Sequence, residues 1–301
     1  MPKQRNPLPG GRSFAIVGLM KADRRIRIRL CPSGGELSVM LLITGLLRCA
    51  PQPVCAGETL PEASEVTQRM VERSQTLAQV DQGSQYTYVK RSLLELLDAA
   101  GQSLKSEEKF YQVTLIGGFP FKRLVKIQGR ELSSEELRRE DAKEEKFRQR
   151  FVSADPKKLV ARKEGMVTPE LLDRYQFVVE KRVVLSNRPT LVLTFEPKDG
   201  NLPSRTVQDK LLNRMRGRLW IDEGDADTAK LEVSLVEPIF LGWFGLLGSL
   251  AQCDLSLERQ RMPDGAWIDT KQALFIQYRK LTATMRFRTT ETSSGFKKVV
   301  R

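Results

Sequence analysis

Gly217-Arg218-Leu219-Trp220-Ile221-Asp222 opens the stretch, running from Arg216 to Thr290, that decides the fold of this chain. Leu231, Val233 and Leu235 follow in alternation with Glu232 and Ser234, and Leu255 and Leu257 resume the pattern after an apolar, glycine-spaced passage. Alternation with period two places successive side chains on opposite faces of an extended strand. Pro263-Asp264-Gly265 supplies a turn, and Trp267 begins the returning strand. Further on, Leu281, Ala283, Met285 and Phe287 share one face, with Thr282, Thr284, Arg286 and Arg288 on the other. The pattern predicts antiparallel strands with one apolar face, and such a face has to be covered by helices, a second sheet or a ligand.

Working outward toward the N-terminus, Ser204 is expected to cap a helix carrying Val207, Leu211 and Met215. Before it, Tyr175–Leu185 and Thr190–Glu196 read as a hairpin joined through Ser186-Asn187-Arg188-Pro189. Leu191, Leu193 and Phe195 lie on one face of its second arm, and Val192, Thr194 and Glu196 on the other. Ser133-Ser134-Glu135-Glu136 starts a charged helix that reaches about Phe151 and has only a thin apolar stripe, so it reads as a solvated addition. Three strands of a meander precede it, over about Gln85–Leu97, Lys109–Ile116 and Phe121–Ile127. Thr59-Leu60-Pro61-Glu62 begins a helix with Val66, Met70 and Leu77 on one side.

The first 56 residues have a different composition. Arg24, Arg25, Arg27 and Arg29 precede an apolar run from Leu37 to Leu47, and Val54-Cys55-Ala56-Gly57 closes the segment. This is the grammar of a secretory signal peptide cleaved after about Ala56, with Met20 as an alternative start. The run is shorter than the roughly 20 apolar residues that span a bilayer. A retained anchor is the other reading, and both place the bulk of the chain in the periplasm or otherwise outside the cytoplasm. The expected organisation is a leader over 1–56 and a single domain over 57–301, with the charged helical insertion at about 132–155.

Charge and composition exclude several functions. The net charge is +13, but nine Lys/Arg and only two Asp/Glu fall in residues 1–56, which leaves 41 and 35 for the rest. Basic residues beyond the leader are interspersed with acids, so no nucleic-acid partner is expected. The chain has no histidine, which removes the commonest general base, zinc ligand and nucleophile partner. Of its four cysteines only Cys253 lies beyond the leader, where it reads as a structural thiol. Asp222-Glu223 and Asp225/Asp227 surround Gly224 as a solvated turn would. They lack the downstream glutamate of a calcium loop, and no metal or other cofactor is expected. Nothing pairs a base with a nucleophile, so the chain does not read as an enzyme.

In order and spacing, the arm ending at Asn187-Arg188-Pro189-Thr190, the run to Phe195-Glu196-Pro197-Lys198, Gly217–Asp222 and the Asp264-Gly265-Ala266-Trp267 turn resemble the outer-membrane lipoprotein-sorting superfamily. That group includes LolA-like and LolB-like carriers and related periplasmic stress regulators. The resemblance covers Glu58 to about Thr290. It implies an α+β fold, a strongly curved antiparallel β half-barrel covered by helices, whose apolar cavity accepts acyl chains. The charged helix departs from the pattern, and no arginine of this chain matches the one that anchors the carriers' lid.

Expected cavity residues are Trp220, Leu231, Val233 and Leu235; Phe240, Trp243 and Phe244 in the apolar passage; and Leu255, Leu257, Leu281, Ala283 and Met285. That passage, Pro238–Gly248, is uncharged and reads either as a plug for the end of the sheet or as a lip touching lipid, membrane surface or partner. The resulting expectation is a non-enzymatic binder or carrier of a lipid, a lipoprotein acyl chain or another apolar ligand in transport across the cell envelope. The alternative is an envelope protein-interaction or stress-sensing module with a self-filled cavity.

Overall fold

The computed structural model describes residues 59–80, 85–152, 167–200, 202–204, 206–241, 248–280 and 283–299. The expected leader, most of the stretch from Asp155 to Thr168, Trp243, Phe244 and Leu281 lie outside them. Four helices are described: α1 (Ala63–Val80), α2 (Ser134–Val152), α3 (Pro169–Leu172) and α4 (Val207–Leu212). The strands of the first half are β1 (Tyr86–Leu97), β2 (Ser103–Ile116), β3 (Phe119–Ile127), β4 (Arg130–Glu131), β5 (Tyr175–Leu185) and β6 (Arg188–Pro197). Those of the second are β7 (Met215–Asp222), β8 (Thr228–Leu235), β9 (Ile239–Leu241), β10 (Gly248–Arg261), β11 (Trp267–Lys280) and β12 (Ala283–Lys298).

All belong to one antiparallel sheet with the order β4-β3-β2-β1-β12-β11-β10-β8-β7-β6-β5, and β9 pairs beside β10. The path is open: β5 stands at one edge and the two-residue β4 at the other. Its one large rearrangement sets β1 against the C-terminal β12, through pairs from Tyr86↔Lys298 to Leu97↔Arg286. No local pattern announces a pairing across some two hundred residues.

The hairpins follow local chemistry. Ser186 and Asn187 take φ values of 50° and 62°, as a two-residue turn between twisted strands requires, and Arg188 begins β6 directly. The expected cap of α4 moves by two residues. Thr206 accepts from the Asp209 amide while Asp209 accepts from the Thr206 amide, so a capping box at Thr206 replaces Ser204. Helix α4 ends at Leu212, and Met215 already belongs to β7, where pairing with Leu235 outweighs the helical spacing. Ser133 and Glu136 form the corresponding box at the start of α2, where Arg130 also grips Glu136.

Burial concentrates in β6, β7, β10 and β11. Leu191, Leu193, Ile221, Ile239 and Cys253 are almost wholly enclosed, whereas β12 has no fully buried residue. Helix α1 packs against β5 and buries Val66 and Met70. Helix α2 lies against β3: Phe147 stacks on Phe121 at 5.0 Å, and Arg123 binds Asp141 and Glu144. The charged helix is thus tied to the sheet by ion pairs, aromatic packing and a hydrogen bond from the Leu124 amide to the buried Glu140, and most of its surface stays exposed.

Candidate functional site

The strand registers join into lateral rows that cross the sheet. One runs Val179-Leu193-Leu219-Leu231-Leu257-Gln272-Glu291-Ser92-Lys109, from β5 to β2. The next, on the same face, runs Phe177-Phe195-Gly217-Val233-Leu255-Leu274-Thr289-Leu94-Glu107. Directly paired residues point to the same side of a sheet, so each row is a strip of one surface. In both rows the β5-to-β10 half is apolar and polar residues enter at β11 or β12.

Gly217 is the exception within the apolar half, and the packing explains it. A Cβ there would meet the Glu232 carbonyl oxygen at 2.0 Å and the Phe195 ring at 2.9 Å, so the ring lies over the space a side chain would need. Tyr175 and Phe177 surround Phe195, with ring centroids 5.1 and 5.9 Å away.

Of the expected cavity residues, Leu231, Val233, Leu255 and Leu257 come together as direct cross-strand pairs. Leu235 pairs with Met215, and Met285 pairs with Tyr278 at the far margin of the same face. Trp220 does not join them. It pairs with Val192 and Lys230 on the opposite face, where the Lys230 ammonium sits 4.6 Å from its ring. Leu219 and Ile221, one residue to either side, share the other face and pair with Leu193 and Leu191. Phe240 is 65% exposed and Ala283 is exposed at the end of β12.

A pocket of about 1130 Å³ opens at the end of the sheet beside Phe240, but its lining mixes Glu196, Lys198, Lys210, Arg214 and Arg216. It is a polar cleft and does not contain the leucine rows.

The acids expected to form a solvated turn are partly buried and bound by arginines. Arg188 reaches Asp222 at 2.5 and 2.7 Å, and Arg261 and the Trp267 indole both donate to Asp225. Arg259 binds Asp227, while Arg73 of α1 faces the other Asp227 oxygen at 3.5 Å. Arg69 donates to the Glu223 carbonyl, so α1 is held at this end of the sheet by two arginines. Turn residues rich in acid suggest solvent, and only the fold brings arginines from four elements, α1, β5, β6 and β10, to them. No group of three or more metal-ligating acids or thiols occurs among the described residues.

Sequence reading missed a second cluster. Glu291 of β12 accepts from Lys90 of β1 at 2.8 Å and from Lys122 of β3 at 3.1 Å, and Lys122 also lies 4.1 Å from the Tyr111 ring. Burial works to raise the Glu291 carboxyl, yet the two ammonium groups hold it below its ordinary value. The lysines differ. Burial tends to lower Lys90, but Glu291 outweighs it and leaves Lys90 raised; burial lowers Lys122 despite the same partner, and Lys90 adds repulsion. Cys253 is enclosed within the apolar face, and burial pushes its thiol up to about 11, as suits a packing residue.

No protein-family model matches this chain, and no curated protein matches it. Solved structures are similar to it at low identity. A domain assigned to outer membrane lipoprotein sorting, from Vibrio parahaemolyticus, is 11% identical, over 77% of this chain and 93% of that one, with a TM-score of 0.30. A LolA superfamily protein from Nitrosomonas europaea is 9% identical, over 78% and 94%, with a TM-score of 0.27. The Pseudomonas aeruginosa MucA/MucB complex contains a chain 10% identical, over 79% and 99%, with a TM-score of 0.21. At this distance these likenesses carry no argument about ligand or partner.

Proposed function

We propose that this chain is an extracytoplasmic, non-enzymatic binder or carrier that holds the acyl part of a lipid or lipoprotein against the leucine face of a curved sheet. The observation that carries the reading is the pair of apolar rows set against the little helix available to cover them. Eleven strands lie side by side along the path, and at a spacing of about 4.8 Å they make a sheet roughly 48 Å across. Helix α1, with 18 residues, is about 27 Å long and about 10 Å wide, enough for two or three strands. Much of the two rows is buried by the chain itself, Leu219, Val233, Leu255 and Leu257 included, and the room for a guest lies at Leu231, Leu235 and Met285, which remain partly exposed.

Curvature toward this face is supported by the contact of Lys122 with Glu291. Three strand steps separate β3 from β12, which in a flat sheet would hold the two backbones about 14 Å apart. The two side chains meet by leaning across β2 and β1 on one side, and bending to that side shortens the span. Burial would drive binding at about 0.8 kcal/mol per methylene, less the cost of ordering the chain. The basic and apolar leader supports export.

The test is mass spectrometry of organic extracts from protein purified out of envelope fractions, together with titration of a fluorescent fatty acid. Co-purified lipid and saturable uptake that falls when Leu231 or Leu257 is changed to aspartate are expected. Lipid-free protein that takes up no fatty acid would overturn the proposal.

A further inference from the structure

The leucine row does not end in open surface. Leu257 is followed by Gln272 and then Glu291, so the Lys90–Glu291–Lys122 cluster begins two strand steps, about 10 Å, from the apolar wall on the same face. Tyr111 flanks it, with its ring under Lys122. The local charges do not balance. Glu107 pairs with Lys109 at 2.9 Å, Lys90 pairs with Glu291, and Asp269 is bound by Arg259, which leaves Lys122 as the second cation on a carboxylate that already has one. Each ammonium has three donors, and each uses one on Glu291. Two half-enclosed cations with spare donors, adjoining an apolar strip, make a surface that is cationic at one end and apolar along its length.

Resting on the acyl-binding reading above, we propose that Lys122 and Lys90 form a headgroup subsite, so that the preferred guest is an anionic amphiphile whose carboxylate or phosphate bridges the two ammonium groups while its chain runs past the buried Leu257 onto the partly exposed Leu231. Lys122 supplies the discriminating charge. Glu291 holds both lysines in place and also competes with the incoming anion, so its removal strengthens anion binding where loss of Lys122 weakens it. The opposite signs separate a recognition role from a structural one, because either substitution would shift stability in much the same direction if the cluster only braced the sheet.

The experiment compares full-length protein binding to myristate with its binding to the uncharged monomyristoyl glycerol, by calorimetry in low salt, with inorganic phosphate and acetate as chainless controls. The wild type should prefer myristate by roughly fivefold, the size of one partly exposed charge contact. Lys122→Gln should erase that preference and leave the uncharged ligand unaffected, and Glu291→Gln should widen it. Equal binding of the two acyl ligands in wild type and Lys122→Gln protein overturns the headgroup subsite and leaves acyl binding standing. Failure of both ligands to bind overturns the acyl reading and this inference with it. Phosphate or acetate binding that depends on Lys122 but does not compete with either acyl ligand would show a site for a free anion and overturn the amphiphile.

Discussion

Leu193 and Leu231 lie two strands apart in one apolar row, yet the first has no exposed surface and the second is half-exposed. Truncating each to alanine therefore separates the packing of the sheet from its binding of a guest. At Leu193, the lost transfer free energy is about 2.4 kcal/mol at ~0.8 kcal/mol per methylene, and the unfilled space between Val179 and Leu219 raises the cost to about 3–4 kcal/mol. At Leu231, part of the side chain already meets water and no closed cavity forms, so the cost is about 1–2 kcal/mol. Urea unfolding of the ligand-free protein checks both values, since the midpoint shifts while the slope stays constant. Repeating the unfolding with saturating myristate should enlarge the difference between wild type and Leu231→Ala, because the guest covers that leucine. The Leu193→Ala difference should stay as it was. Equal costs for the two truncations without ligand, or no ligand-dependent change at Leu231, would refute the claim that the row passes from closed core to open binding surface.

Gly217→Ala should destabilise the protein by about 1–3 kcal/mol in the same assay, since the new methyl meets the Glu232 carbonyl and the Phe195 ring; a neutral effect would mean that the ring does not lie over this glycine. Arg259→Met should cost about 2–3 kcal/mol by leaving the buried Asp227 with only the distant Arg73, and a double change with Asp227→Asn should recover part of that loss. Asp264 is held at about 2, below its ordinary 3.8, because hydrogen bonds from Lys298, Tyr86 and the Ala266 amide outweigh its burial. Its depressed value contributes stability that is complete above about pH 4 and is lost as pH falls through about 2, so Asp264→Asn should flatten the acid limb of the stability curve in that window while leaving the slope near neutrality unchanged. Cys253 should react with a thiol reagent at pH 8 only at the rate of opening, with full reaction in denaturant, and rapid labelling of the folded protein would contradict its enclosure.

The sequence by itself determined the strands and their inner faces. Alternation in Leu231–Leu235 and Leu255–Leu257 reports burial on one side of a pleat, and Leu191, Leu193 and Phe195 report the same for β6, because period two is a property of the backbone. It also determined the start of α2 and the hairpin at Ser186-Asn187, where side chains act on backbone groups within three residues. It misplaced Trp220, which alternation sets on the face opposite Leu219 and Ile221, because the bulk of an indole suggests the inner face. Only the tertiary structure decided that β12 closes onto β1, that arginines from α1, β5, β6 and β10 meet the acids of one turn, and that Lys90, Lys122 and Glu291 share a face. These depend on contacts between residues up to about two hundred positions apart. Their strengths are set by burial and distance, which no local pattern encodes.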